Sequence, residues 1–189
     1  MTEERSSFSA ELLSSITARL DRPLVLVGLM GAGKSSVGRR LANIMGCNFV
    51  DADEEIENAA QRSISEIFEE FGEGYFRDGE RRVIARLIED ESGVIATGGG
   101  AFVNDQTRAL ILAQTVAVWI DCEIDTLVDR TSRRDTRPLL KGGNPREILS
   151  RLYDERRPFY AQAPIHVMSN TGPQDATVAK ILEALDKWL

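Results

Sequence analysis

Residues 28–35, GLMGAGKS, carry glycine, lysine and serine at a spacing that points to phosphate chemistry. Gly28, Gly31 and Gly33 let the backbone curl so that successive N–H groups face inward, forming a nest for phosphate oxygens. Lys34 would reach the β- and γ-phosphates of a nucleotide, and the Ser35 hydroxyl can ligate Mg2+. The run matches G-x-x-x-x-G-K-[S/T] and sits between an apolar stretch, Leu24 to Val27, and a segment of helical spacing. The N-terminal end of that helix adds a positive dipole at the same place. A glycine-rich turn matching by chance is the bland alternative, and the strand–loop–helix context argues against it. A guanine-specific protein would carry an Asn-Lys-x-Asp segment, which is absent. Asp90-Glu91-Ser92-Gly93 fits D-x-x-G but precedes a strand and reads as a turn, so ATP is favoured.

Phosphoryl transfer also uses a carboxylate near the metal and another that orients, or takes a proton from, the attacking hydroxyl. Asp51 and Asp53 lie two apart at the end of a short strand, Asn48 to Val50, where extended backbone would point both to one side. Asp-x-Asp is also common in turns, and Asp53 could simply cap a helix from Glu54 to Ala59. Val116 to Asp121 (VAVWID) competes, because an apolar strand ending in acid is the form of a metal ligand beside a phosphate loop. Spacing alone does not choose between Asp51 and Asp121.

The elements that must position these residues are short apolar strands alternating with longer amphipathic helices. Leu24 to Val27, Asn48 to Val50, Val94 to Thr97, Val116 to Ile120 and Ile165 to Met168 read as strands. Lys34 to Met45 reads as a helix closed by Gly46, and Ser63-Ile64-Ser65-Glu66 as a capping box opening a helix through Phe68 and Phe71. Helices from about Phe76 to Ile88 and through Val178, Ile181, Leu182 and Leu185 follow. This alternation predicts an α/β fold, a parallel sheet covered on both faces, with ligands beyond the C-terminal strand edges. Ser132 to Pro145 breaks the rhythm with clustered charge, two prolines and a double glycine, and reads as a loop or lid. In residues 1–22, Leu12, Leu13, Ile16 and Leu20 share one helical face, which is expected to pack on the rest or fray.

The chain has 189 residues, 23 basic against 30 acidic side chains and a net charge of −7. That is enough for one domain with a real core. It is a poor charge balance for a nucleic-acid binder. No apolar run reaches the roughly 18 residues of a membrane span. The first 22 residues lack the apolar core of an export signal, so a cytoplasmic protein is expected. Cys47 and Cys122 fall in no metal-ligand pattern, and His166 is the only histidine. Four lysines against nineteen arginines read mainly as compositional bias. Arg39, Arg40, Arg81 and Arg82 are expected on exposed helix faces.

Taken in order, GLMGAGKS, DAD, SISEIFEEFGEGYFR, GGG, TRPLL and ERRPFY resemble the shikimate kinase family from about Leu24 to the final helix. The resemblance implies a three-layer P-loop kinase fold: five parallel strands in the order 2-3-1-4-5, helices on both faces and a mobile lid at about 132–145. It implies a single kinase domain over 23–189 preceded by an extension, 1–22, that is helical or frayed. The implied reaction moves the γ-phosphate of ATP to the 3-hydroxyl of shikimate, on the route to aromatic amino acids. Gly31, Ala32, Gly33, Lys34, Ser35 and Ser36 would hold ATP, with Arg130 and Pro173 flanking the adenine. Lys34 and the lid residue Arg137 would meet the transferring phosphate. Asp53 would bind the shikimate hydroxyls as the candidate base. Ser35 and, through water, Asp51 would hold Mg2+, leaving Asp121 a structural strand end. Arg77 and Arg156 would pair with the shikimate carboxylate, Glu80 would hold Arg77, and Gly98, Gly99 and Gly100 would let the backbone approach the ring. Phe68 and Phe76 would stand near the substrate. A guanidinium fork does match a carboxylate bidentately.

Two features depart from the family pattern. Thr171 and Gly172 stand where some members have a basic residue, so adenine contacts there are expected from backbone, and the lid run from Ser132 to Asp135 is its own version. A monomer is expected. A gluconate kinase would share the loop but would not need two arginine forks. A silent ATP-binding module would not need Lys34, Asp53 and Arg137 together.

Overall fold

β1 (Leu24–Val27) is apolar and buried at every position, as a strand covered on both faces requires. It occupies the middle of the sheet in the computed structural model, which describes residues 9–90, 93–132 and 143–189. β2 (Phe49–Asp51), β3 (Val94–Ala96), β4 (Val116–Cys122) and β5 (Ile165–Ser169) complete a sheet in the order β2-β3-β1-β4-β5. All four pairings are parallel, with Leu24 opposite both Val94 and Val116. The implied strand order is therefore the observed one. β4 is buried along its whole length, whereas β5, at the edge, buries Ile165, Val167 and Ser169 and exposes His166 and Met168.

α2 (Lys34–Met45) follows the phosphate loop and packs against α8 (Gln174–Trp188), which in turn holds α1 (Ala10–Arg19). Ile16 of α1 is fully buried, and Arg19 bonds the carbonyl and carboxylate of Asp186. α5 (Asp105–Gln114) packs on β4, and α6 (Ile124–Ser132) packs on α7 (Pro145–Tyr160). The main core gathers around the sheet. Ile56, Ile67 and Phe76 form a separate small cluster between α3 (Ala52–Ala60) and α4 (Ile64–Asp90).

Local expectations are met in part. The two helices read on either side of residue 72 are both present, joined end to end as α4 across a kink where Gly72 takes φ 79° and ψ 173°. The capping box is present: Ser63 N donates to Glu66 Oε2 (2.7 Å) and Glu66 N to Ser63 Oγ (3.2 Å). Arg40 is not a solvated surface charge. It is half-buried and bonds Asp175 at 2.6 and 3.2 Å, tying α2 to α8. Strand β4 continues through Asp121 to Cys122 because that carboxylate is satisfied inside the fold.

Candidate active site

The sheet order places the loop after β1 where neighbouring crossovers diverge, the crevice in which parallel α/β sheets bind ligands. Gly28 begins that loop at φ 139°, and any side chain on it would collide with the Ile120 carbonyl. Lys34 is buried, its Nζ donating to the carbonyls of Gly28 (2.8 Å) and Leu29 (3.0 Å). Ala32 is buried, and Gly31, Gly33, Ser35 and Ser36 are half-buried along the loop and the first turn of α2.

Ser35 Oγ donates to Asp51 Oδ2 at 2.5 Å, so the hydroxyl and carboxylate proposed for a metal stand side by side. Hard oxygen donors of this kind, few in number and next to a phosphate site, suit Mg2+, which keeps much of its water. The other Asp51 oxygen accepts from Asp53 N at 3.1 Å and caps α3. This corrects the sequence reading of the pair. Asp53 does not extend the strand beside Asp51, nor does it cap the helix, because Asp51 itself starts α3 and carries Asp53 into its first turn. Burial, and then the Asp51 charge, push the Asp53 carboxyl up to about 6, against the pull of Lys34 and Arg77.

Gly98, Gly99 and Gly100 follow β3 and are crowded by charged side chains. A methyl group on Gly98 would lie 2.8 Å from Asp53 Oδ1 and 3.1 Å from Glu80 Oε1. One on Gly99 would lie 3.4 Å from Arg156 Nη1, and one on Gly100 would overlap the Arg77 guanidinium. Asp53, Arg77, Arg156 and the three glycines are thus gathered in one place, from α3, α4, α7 and the loop after β3.

Arg77 is fixed from behind. Its Nη1 donates to Glu80 Oε2 at 2.6 Å, while Nε and Nη2 reach Glu73 Oε1 at 3.3 and 3.4 Å. Glu80 is buried, which raises its carboxyl above the usual range despite the neighbouring Arg77. Its Oε1 has no hydrogen-bond partner among the described residues and faces Gly98.

Arg130, on α6, reaches back to the phosphate loop. Its Nη1 lies 3.3 and 3.2 Å from the Gly31 and Ala32 carbonyls, and Nη2 donates to the Asn170 carbonyl at 2.6 Å. Pro173 opens α8 shortly after Asn170. Phe68 and Phe76 pack on each other, ring centroids 4.6 Å apart, with Arg77 5.1 Å from the Phe76 ring centre. Arg137 and the stretch 133–142 of the expected lid lie outside the described residues.

Asp121 stands apart from this assembly. Its Oδ1 accepts from Cys122 N (2.8 Å), and its Oδ2 from Tyr153 Oη (3.1 Å) and His166 Nε2 (2.9 Å). Sequence reasoning missed Tyr160, whose hydroxyl donates to the Gly99 carbonyl, and Glu73 behind Arg77. The signal for Tyr160 was its place four residues after Arg156, one turn along the same helix face.

Known proteins resemble the chain along most of its length. The family model described as Shikimate kinase matches residues 30–186. A shikimate kinase of Novosphingobium aromaticivorans is 57% identical over 193 residues, covering 100% of both chains. The structure of shikimate kinase from Acinetobacter baumannii in complex with shikimate superposes with TM-score 0.84 and 36% identity, over 89% of this chain and 95% of that one. A gluconokinase from Sinorhizobium meliloti shares the fold at TM-score 0.58 with 18% identity, over 89% of this chain and 94% of its own. The chain belongs to the shikimate kinase family.

Proposed function

We infer that the protein transfers the γ-phosphoryl group of ATP to the 3-hydroxyl of shikimate, giving ADP and shikimate 3-phosphate. One observation carries the reading beyond family membership: Asp53, Arg77, Arg156 and Gly98–Gly100 converge on one site. A carboxylate-bearing polyol needs both a base and guanidinium forks, and a neutral sugar does not need the forks.

In this reading, the loop amides of Gly31, Ala32 and Gly33, with Lys34, Ser35 and Ser36, bind the ATP phosphates. Arg130 and Pro173 flank the adenine. Arg77 and Arg156 bind the acceptor carboxylate, turning the ring so that its hydroxyls face Asp53. Asp53 takes the 3-hydroxyl proton as that oxygen bonds to the γ-phosphorus and the bond to the ADP oxygen breaks. A carboxyl titrating at about 6 is ionised at neutral pH yet basic enough to hold the proton. Arg137 neutralises charge on the transferring group. Ser35 and, through water, Asp51 would hold Mg2+, which when bound draws negative charge from the phosphates. Asp121, whose oxygens already accept three bonds, is a structural acid.

We assign the kinase domain to 23–189, with an N-terminal extension before it and a lid near 132–145, in a cytoplasmic monomer. No helix of the described residues is long and apolar enough to cross a membrane. Shikimate, ATP and Mg2+ are the partners expected, and nucleic acid is not. A coupled ADP-release assay over a panel of hydroxy acids and sugars tests the reaction. Turnover with shikimate above the other acceptors is expected. Turnover with a different acceptor and none with shikimate would overturn the reading.

A further inference from the structure

The glycine segment after β3 makes a tight turn. Ala101 N donates to the Gly98 carbonyl at 3.2 Å, so the central peptide of the turn joins Gly99 to Gly100. A central turn peptide takes no part in the turn's own hydrogen bond and can rotate by about 180°, interchanging type I and type II forms. Type II demands a positive φ at the third residue, which most residues resist and glycine accepts. Neither Gly99 nor Gly100 has a positive φ. The observed form is therefore the one that glycine does little to hold.

A side chain from a distant helix holds it instead. Tyr160, the last residue of α7, is 1% exposed, and its hydroxyl donates to the Gly99 carbonyl. Burial pushes this phenol up to about 12, so it remains a donor at any working pH. In a planar trans peptide the C=O and N–H leave from opposite edges. Fixing the Gly99 carbonyl therefore fixes the direction of the Gly100 N–H. That peptide lies between the two guanidinium groups: Gly99 is beside Arg156, and Gly100 is pressed against Arg77. Among the described residues, the Gly100 N–H donates to no backbone carbonyl.

We propose that Tyr160 is a positioning residue, locking the Gly99–Gly100 peptide so that the Gly100 N–H stands as a third donor beside Arg77 and Arg156 for the acceptor carboxylate. Helix α7 then supplies both one fork, Arg156, and the lock on the peptide next to it. Loss of the hydroxyl frees the peptide to flip, which turns a carbonyl oxygen toward the carboxylate and removes the donor. The proposal rests on the acceptor reading given above.

The test compares Tyr160→Phe with the wild type on two acceptors: shikimate, and its analogue with the carboxylate reduced to a primary alcohol. The KM for shikimate should rise about five- to tenfold, the range of one hydrogen bond. The KM for ATP should stay within about twofold, and the KM for the alcohol should not rise. Equal losses on both acceptors, or no loss on either, would overturn the role of Tyr160 while leaving the acceptor reading intact. A wild type that treats shikimate and the alcohol alike would instead overturn the acceptor reading. If the variant does not fold, the wild type carries the test through its Gly100 amide resonance. That resonance should shift on adding shikimate and stay put with the alcohol, and indifference to shikimate overturns the proposal.

Discussion

Replacing Asp53 with Asn should make the protein more stable while abolishing phosphoryl transfer. The native carboxyl titrates at about 6 against an ordinary 3.8, so folding raises its affinity for protons. For an acid shifted upward, the sign is the reverse of the usual salt-bridged case. The folded state binds the proton more tightly than the unfolded one, so no stability is lost below pH 3.8. The penalty then grows as pH rises through 6 and levels off above it. About two pKa units correspond to roughly 3 kcal/mol at pH 7, and to under about 1 kcal/mol at pH 4. Asparagine keeps the shape, carries no charge and escapes this penalty. In a chain of this size 1 kcal/mol moves Tm by about 2–4 °C, so Asp53→Asn should melt roughly 6–12 °C higher at pH 7 and only slightly higher at pH 4. Calorimetry on the ligand-free protein at the two pH values measures the difference. An unchanged Tm at pH 7, or a gain that persists at pH 4, refutes the electrostatic account of this site.

Four further outcomes are expected. The kcat/KM for shikimate should fall about tenfold per pH unit below roughly pH 6, where Asp53 becomes protonated, and a profile flat down to pH 5 counts against Asp53 as the base. Arg77→Ala should raise the shikimate KM by at least about thirtyfold, as removal of one partner of a desolvated charge pair does, while calorimetric ATP binding stays nearly intact. Asp51→Asn should lower activity most steeply at limiting Mg2+. Asp121→Asn should keep most activity but lose about 1–2 kcal/mol of stability in urea titrations, because part-buried bonds from Tyr153 and His166 are weakened; the opposite pattern would give the metal to Asp121.

The phosphate loop was legible because its chemistry is written in eight consecutive residues, and the strands flanking it were legible because β1 and β4 are apolar throughout. The order of strands came through the resemblance, since alternation alone does not rank parallel strands. What the sequence obscured was set by contacts across the chain. Asp53 sits on a helix because Asp51 caps that helix two residues earlier, and β2 is only three residues long, too short for period-two reasoning to hold. Tyr160 reaches a carbonyl 61 positions away, and Arg130 reaches the phosphate loop across 99. No local pattern encodes the reach of Arg130, and for Tyr160 the one local sign is its place a helical turn after Arg156. Arg40 looked like one more surface arginine until α8 brought Asp175 against it.

The net charge of −7 in a chain that binds two anions follows from how its cations are held. Arg77 has a buried carboxylate behind it, Glu80, and an exposed one at its flank, Glu73. Only a planar fork can meet both and still lie against Gly100, whereas a lysine is a single point charge that could satisfy one of them. Holding the guanidinium this way moves the entropy of ordering a long side chain into folding, so that binding of the acceptor carboxylate, as proposed, would not have to supply it. Glu80 alone in that position would be an uncompensated buried charge, and Arg77 alone would swing. In the proposed reading, the acids near the site therefore do not compete with the anions it takes up; they fix the cations assigned to receive them, and the excess of acid over base is compatible with anion recognition.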